Sequence, residues 1–395
     1  MAAKIEVPQL TRWEVRISWA QAMRQLYAQP SNGFITERAF DTGPLISPVD
    51  LHKNISAVNR DQNVSSKSRE TVQKGIHDAR AIINGKDDRL LVIVGPCSIH
   101  DPDAALEYGK NLREVANRLE PYLCIIMRAY VEKPRSTIGW KGLAHDPDLD
   151  GSARLNEGLV QSRQLYADLT ELGLPVASEL LDLVTPASLV DLISIGAIGA
   201  RTTESQPHRE LASAMPFPVG FKNSPDGNVV AALNGLRAAR VPHIFRAMTL
   251  HGARRVESRG NTDCFVILRG GDSGPNYDQA AVQKTHRQLA TAHGPQHPGI
   301  VIDCSHGNSR KDFRRQQEVV NAVGRQIASG ENSLVGVMIE SNMHEGRQDI
   351  PLEGPAGLRR GVSITDGCLG WDDTVTCLQT LADAVLFRRE IKMYC

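Results

Sequence analysis

The sequence predicts a (β/α)8 barrel, preceded by a helical extension and carrying a β-hairpin inserted between barrel strands 5 and 6. Three observations carry that prediction. Short apolar or small-residue runs alternate with helical stretches from about residue 90 onward, the rhythm of a parallel sheet with helical crossovers. The runs number eight, which is the strand count of a β/α barrel. Each also ends in a polar or reactive residue, as expected where strands deliver side chains to one mouth.

Residues 1 to about 38 contain one amphipathic pattern, TRWEVRISWAQAMRQLYAQ, stopped by Pro-Ser-Asn-Gly. Residues 39–66 are rich in turn formers, so the expected division is an N-terminal extension over 1–66 and a catalytic barrel over 67–395. SSKSRETVQKGIHDARAIINGKDDR reads as a helix opened by a serine cap and closed at Asn-Gly. The strand candidates follow in order: LLVIVGPC, YLCIIMR, LPVASE, AIGAR, FPVGFK, CFVILRGG, GIVIDCSH and LVGVMIE. HIFRAMTLHGARRVES (243–258) has no helical stretch before the next run and reads as the inserted hairpin.

Composition narrows the function. Lys plus Arg and Asp plus Glu number 45 each, so no global field favours nucleic acid or a membrane surface. No apolar run is long enough to span a bilayer, and the first residues have no signal-peptide pattern. Seven scattered cysteines without repeated spacing fit a reducing compartment better than a disulfide framework. The expectation is a cytoplasmic enzyme acting on small molecules.

The strand ends carry the chemistry. At or just beyond them stand Cys97, Arg128, Glu179, Arg201, Lys222, Arg269, Asp303 with His306, and Glu340. Strands often end in polar residues as they reach solvent, but that explains poorly why five of eight supply a cation or a soft ligand. Arg128, Lys133, Arg135, Arg201, Lys222 and Arg269 are too many for one carboxylate and suit phosphate, which arginine grips bidentately and lysine as a point charge. The loop MRAYVEKPRSTIGWKG gathers several of them, with Pro134 stiffening it and Ser136 adding a hydroxyl.

Cys97, His306, Glu340 and Asp366 form a mixed soft and hard donor set, suited to a borderline divalent metal with an open position and ill suited to magnesium. His100, Cys304 and His344 are neighbouring alternatives that spacing leaves open. No G-x-S-x-G elbow, Walker loop or opening G-x-G-x-x-G is present. The residues thus read as a barrel enzyme that binds phosphorylated small molecules beside a divalent metal, with Cys97 as a covalent nucleophile the lesser reading.

Taken together, GPCSIHD, MRAYVEKPRSTIGWKG, GARTTESQ, PVGFKNSPDG, VILRGGDSGPNYD, DCSHGNSRKD, GVMIESNMHEG and SITDGCLGW resemble the type I 3-deoxy-D-arabino-heptulosonate 7-phosphate (DAHP) synthases. The resemblance runs unbroken from about residue 66 to the carboxyl end. It implies a TIM barrel that condenses phosphoenolpyruvate with erythrose 4-phosphate, the entry step of aromatic biosynthesis. It implies one divalent ion of the manganese, iron, cobalt or zinc class on Cys97, His306, Glu340 and Asp366. It places phosphoenolpyruvate on Arg128, Lys133, Arg201, Lys222 and Arg269 with Glu179 in the same pocket, and the aldose phosphate on Lys133, Pro134, Arg135 and Ser136. Lys133, with Cys97 and His306, is the expected catalytic group, and a homodimer or homotetramer the expected assembly.

Ser136 stands where the family motif has threonine, which keeps the hydroxyl. In feedback-regulated relatives the hairpin helps form the inhibitor pocket, and here Arg246 and Ala247 occupy its centre. The expectation is weakened or altered inhibition by phenylalanine or tyrosine, as in a paralogue serving secondary metabolism. Two alternatives stand beside the main reading: a 3-deoxy-octulosonate 8-phosphate-type synthase taking a five-carbon sugar phosphate, and a non-catalytic metabolite-sensing barrel.

Overall fold

The computed structural model describes residues 36–38, 64–135, 137–249, 252–293, 298–351 and 354–394. The helix expected within residues 1–38, the turn-rich stretch up to residue 63 and Ser136 lie outside the described residues, apart from one short strand.

Eight parallel strands close into a barrel. In chain order they are β2 (Leu90–Gly95), β3 (Leu123–Arg128), β4 (Val176–Glu179), β5 (Ile195–Ile198), β6 (Val219–Lys222), β9 (Phe265–Leu268), β10 (Ile300–Asp303) and β11 (Leu334–Glu340). All eight expected runs form strands. AIGAR is the one clear offset, because β5 starts two residues earlier and leaves Gly199, Ala200 and Arg201 beyond its end. A helix follows every strand, from α2 (Pro102–Leu119) after β2 to α9 (Trp371–Tyr394) after β11. Between β6 and β9 the chain makes the antiparallel hairpin β7 (Ile244–Thr249) and β8 (Gly252–Glu257). Strand β1 (Thr36–Arg38) adds to the other edge of β8, giving a three-stranded sheet in the order β1-β8-β7.

The two-residue period of the strands sorts the core. Leu90, Val92 and Val94, with Ile125, Met127, Val266, Leu268 and Ile302, belong to the cluster shared with the outer helices. The alternate residues Leu91, Ile93, Cys124, Ile126, Ala177, Phe265, Ile267, Val301 and Met338 form a separate interior cluster. That parity carries forward. Two residues beyond Ile126, Ala177, Ile267, Val301 and Met338 stand Arg128, Glu179, Arg269, Asp303 and Glu340, so the inward phase of these five strands leads to a charged side chain at the mouth.

The opposite end is closed by α1 (Ser66–Ile83). Ser65 caps it, its hydroxyl accepting from the Ser68 amide at 2.9 Å. Ala79, Ile82 and Ile83 join the interior cluster, and the Gly299 amide donates to the Ile83 carbonyl at 2.9 Å. The helix seats at Gly75, where an added Cβ would lie 2.6 Å from both Pro175 Cβ and Ser194 Oγ. Helix α2 begins at Pro102, and Asp101 Oδ1 accepts from the Ala104 amide at 2.9 Å. The Asp101 carboxyl is therefore a helix cap supporting the Cys97 loop.

Candidate active site

A cavity of about 520 Å³ opens at the carboxyl ends of the strands. Eight basic side chains line it: Arg128, Lys133, Arg135, Arg201, Lys222, Arg269, Lys311 and Arg347. Among the described residues three carboxylates, on Glu179, Glu340 and Asp366, line it with them, and Asp303 pairs with Lys222 beneath. In a chain of zero net charge, this concentration marks a site for anions.

Its inner wall is built from buried charges held in pairs. Arg128 Nη2 donates to Glu340 Oε1 at 2.8 Å and to the Cys97 carbonyl at 2.9 Å. Its guanidinium lies 3.6 Å from the centre of the Tyr130 ring. Burial works against the Arg128 charge, but Tyr130, Glu340 and Cys97 outweigh it and hold the pKa above its ordinary value. Lys222 Nζ lies 2.8 Å from Asp303 Oδ2, and His306 Nδ1 lies 2.9 Å from the same oxygen. Burial would raise the Asp303 pKa, yet His306 and Lys222 hold it well below the carboxylate range.

Cys97 is fully buried beneath Lys133, whose Nζ donates to Sγ at 2.8 Å and to Asp366 Oδ2 at 2.9 Å. Burial and then the neighbouring Glu340 push the Cys97 thiol up to about 11. A thiol so held is a poor nucleophile at neutral pH. The Lys133 pKa is raised as well: burial opposes its charge, while Cys97, Glu340 and Asp366 together keep it protonated.

Donor atoms of Cys97, Glu340 and Asp366 all lie within 4.8 Å of one another. His306 does not join that close group. Its Nδ1 is engaged by Asp303 and, at 2.6 Å, by the Ser305 hydroxyl. That leaves Nε2 aimed inward, 3.8 Å from Glu340 Oε1. His306 holds this position with a left-handed backbone, φ 57°, a conformation that surrounding structure must enforce.

Of the residues singled out from sequence, Arg128, Lys133, Pro134, Arg135, Glu179, Arg201, Lys222, Arg269, His306, Glu340 and Asp366 line this one cavity. Glu179 packs against Gly199, where a Cβ would fall 2.3 Å from its Oε1. His100, Cys304 and His344 are not among the lining residues. Lys311 and Arg347 were missed. Lys311 stands inside the quoted motif DCSHGNSRKD and Arg347 directly follows GVMIESNMHEG, but both lie several residues past a strand end, where spacing says nothing about direction.

The profile of the DAHP synthetase I family matches residues 61–379. The chain belongs to the DAHP synthetase I family. Over 356 residues it is 50% identical to the tyrosine-inhibited phospho-2-dehydro-3-deoxyheptonate aldolase of Candida albicans, covering 88% of this chain and 93% of that one. It is also 50% identical over 331 residues to the phenylalanine-inhibited enzyme of that name from Saccharomyces cerevisiae, covering 83% and 89%. Among solved structures, the phospho-2-dehydro-3-deoxyheptonate aldolase of Francisella tularensis superposes with a TM-score of 0.81 at 43% identity, covering 89% of this chain and 99% of that one. Members of the DAHP synthetase I family thus share this chain's barrel almost end to end.

Proposed function

We propose that the chain condenses phosphoenolpyruvate with erythrose 4-phosphate and water to give 3-deoxy-D-arabino-heptulosonate 7-phosphate and phosphate. The observation that carries this is a cavity lined by eight basic groups above a Cys97–Glu340–Asp366 donor cluster. Two multiply charged anions repel strongly at bonding distance, and a set of separate cationic clamps offsets that repulsion.

Cys97, His306, Glu340 and Asp366 would hold a divalent ion of the manganese, iron, cobalt or zinc class. The donor set fits it: three donors already converge, and the Lys133 ammonium bridges Cys97 and Asp366 as a cation would. When bound, such an ion supplies Lewis acidity for a carbonyl oxygen.

The rest falls to the chain's own groups. Arg128, Arg201, Lys222 and Arg269 bind and orient phosphoenolpyruvate, and Arg135 with Ser136 receives the aldose phosphate. C3 of the enol attacks the aldehyde carbon, and the carbonyl oxygen takes a proton as the new bond forms. Lys133, beside the cluster, is placed to orient that oxygen and assist the proton transfer. Water then adds at C2 and the phosphate departs. With Glu340 and Asp366 in the donor set, Glu179 is the remaining carboxylate lining the cavity and accepts the proton of that water.

Steady-state turnover with phosphoenolpyruvate and each of erythrose 4-phosphate and arabinose 5-phosphate tests the proposal. Activity with the four-carbon sugar is expected; activity with only the five-carbon sugar, or with neither, overturns it. Chelation should abolish activity and metal add-back restore it. Six described cysteines, all unpaired, support a cytoplasmic setting, and among the described residues no helix is long and apolar enough to cross a membrane. The outer edge of β7, with Ile244 65% exposed, supports assembly into a homodimer or homotetramer, which light scattering would read. Arg246 lies opposite Arg255, and Ala247 opposite Arg254, in the hairpin register. These are adjacent pairs on opposite faces, and the Arg246–Arg255 pair supports altered feedback; strong inhibition by millimolar phenylalanine or tyrosine would refute that.

A further inference from the structure

A second group of metal-ligating side chains lies just outside the cavity. The loop after β3 folds back on itself, with the Lys133 amide donating to the Lys141 carbonyl at 2.9 Å and the Ala144 amide to the Val131 carbonyl at 3.0 Å. This return brings His145 beside Glu132. From the end of β4, the Asp182 amide donates to Glu132 Oε2 at 3.3 Å. One donor atom from each of Glu132, His145 and Asp182 then lies within 4.8 Å of the other two.

The hydrogen bonding around this group is incomplete. The Glu132 side chain is 2% exposed, and its Oε1 has no partner with hydrogen-bond geometry among the described residues. His145 Nδ1 is also unpartnered and faces that oxygen at 4.0 Å, while Nε2 stands 3.7 Å from Asp182 Oδ2. These gaps are long for hydrogen bonds. Two donors about 2.1 Å from a shared ion stand roughly 3 to 4 Å apart. An imidazole binds through one nitrogen, so one of these gaps has that length already and the other carboxylate, within the 4.8 Å group, has to close in. Among the described residues neither carboxylate has a lysine or arginine in an ion pair, and His145 is the basic group beside both. Burial, then Asp182, pushes the Glu132 carboxyl up to about 7 against the opposing pull of His145. Asp182 and His145 are partly exposed, which leaves an entry path.

We propose that Glu132, His145 and Asp182 form a second divalent-cation site, distinct from the Cys97 cluster, with an imidazole and two carboxylates as donors. That set suits manganese, iron, cobalt or zinc and has no sulfur. Glu132 precedes Lys133, and Leu181, which lines the cavity, precedes Asp182. A cation there ties the loop after β3 to the loop after β4 and holds Lys133 over Cys97 and Asp366.

Cobalt(II) separates the two sites, because only a thiolate ligand adds a sulfur-to-metal charge-transfer band in the near ultraviolet. Full-length protein stripped by chelator should take up two equivalents of cobalt, one with that band and one without. His145→Gln should bind one equivalent and keep the band. Cys97→Ala should bind one equivalent and lack it, which answers the question even if the His145 variant fails to fold. A single equivalent on the wild-type chain, or no cobalt on Cys97→Ala, overturns the second site. Two equivalents without any sulfur band would instead refute the Cys97 assignment alone.

Discussion

The two ends of this barrel are built from the same strands by opposite means. At the floor, Leu91, Cys124 and Val301 meet Ala79, Ile82 and Ile83 of α1, and the contact is apolar. At the mouth, two to four residues further along, the inward side chains are Arg128, Asp303 and Glu340, all at least 99% buried. Apolar burial at the floor is favourable in itself. Charge burial at the mouth is not, and it is tolerated because each ion has a partner within 3 Å: Arg128 with Glu340, Lys222 with Asp303. The floor therefore supplies stability to a mouth that uses it.

That contrast can be broken by experiment. The largest expected effect is at the mouth. Cys97→Ala should lower kcat/KM by on the order of 10³-fold or more while the protein stays folded; a variant with wild-type turnover contradicts the donor set. Next is Asp303→Asn, which leaves Lys222 buried without its counter-charge. It should destabilise the fold by about 3–5 kcal/mol in urea unfolding, and a change under 1 kcal/mol would mean the pair is dispensable.

At the floor, Ile82→Ala should cost about 2–5 kcal/mol of stability, with kcat/KM per folded molecule nearly unchanged. Should its activity fall as far as that of Cys97→Ala, the division between the ends is wrong. Gly75→Ala is expected to cost about 1–3 kcal/mol, since Pro175 and Ser194 leave no room for the methyl group. The smallest effect belongs to Ser65→Ala, about 1 kcal/mol through the lost cap of α1.

Much of this was legible along the chain. Strand β2 is a run of Leu, Val and Ile, and β3 and β11 are nearly so, because both faces of a barrel strand are buried. The hairpin announced itself by the lack of a helix between two strands. Asp101 and Ser65 are local features, each binding an amide three residues on, so a short window contains them. Lys311 and Arg347 were hidden for the converse reason. Each sits in irregular chain after a strand, where no period tells which way a side chain points.

The sequence by itself determined the eight strands, the hairpin between the fifth and sixth, and the chemical character of every strand end. Those depend on periods of two and on residues adjacent in the chain. Only closure of the barrel decided which of those ends meet. It put Cys97, Glu340 and Asp366 together across 269 residues, turned the free nitrogen of His306 inward by engaging the other with Asp303, and set His145 beside Glu132 and Asp182. Side-chain convergence depends on the register and tilt of every intervening strand, and no local pattern encodes that sum.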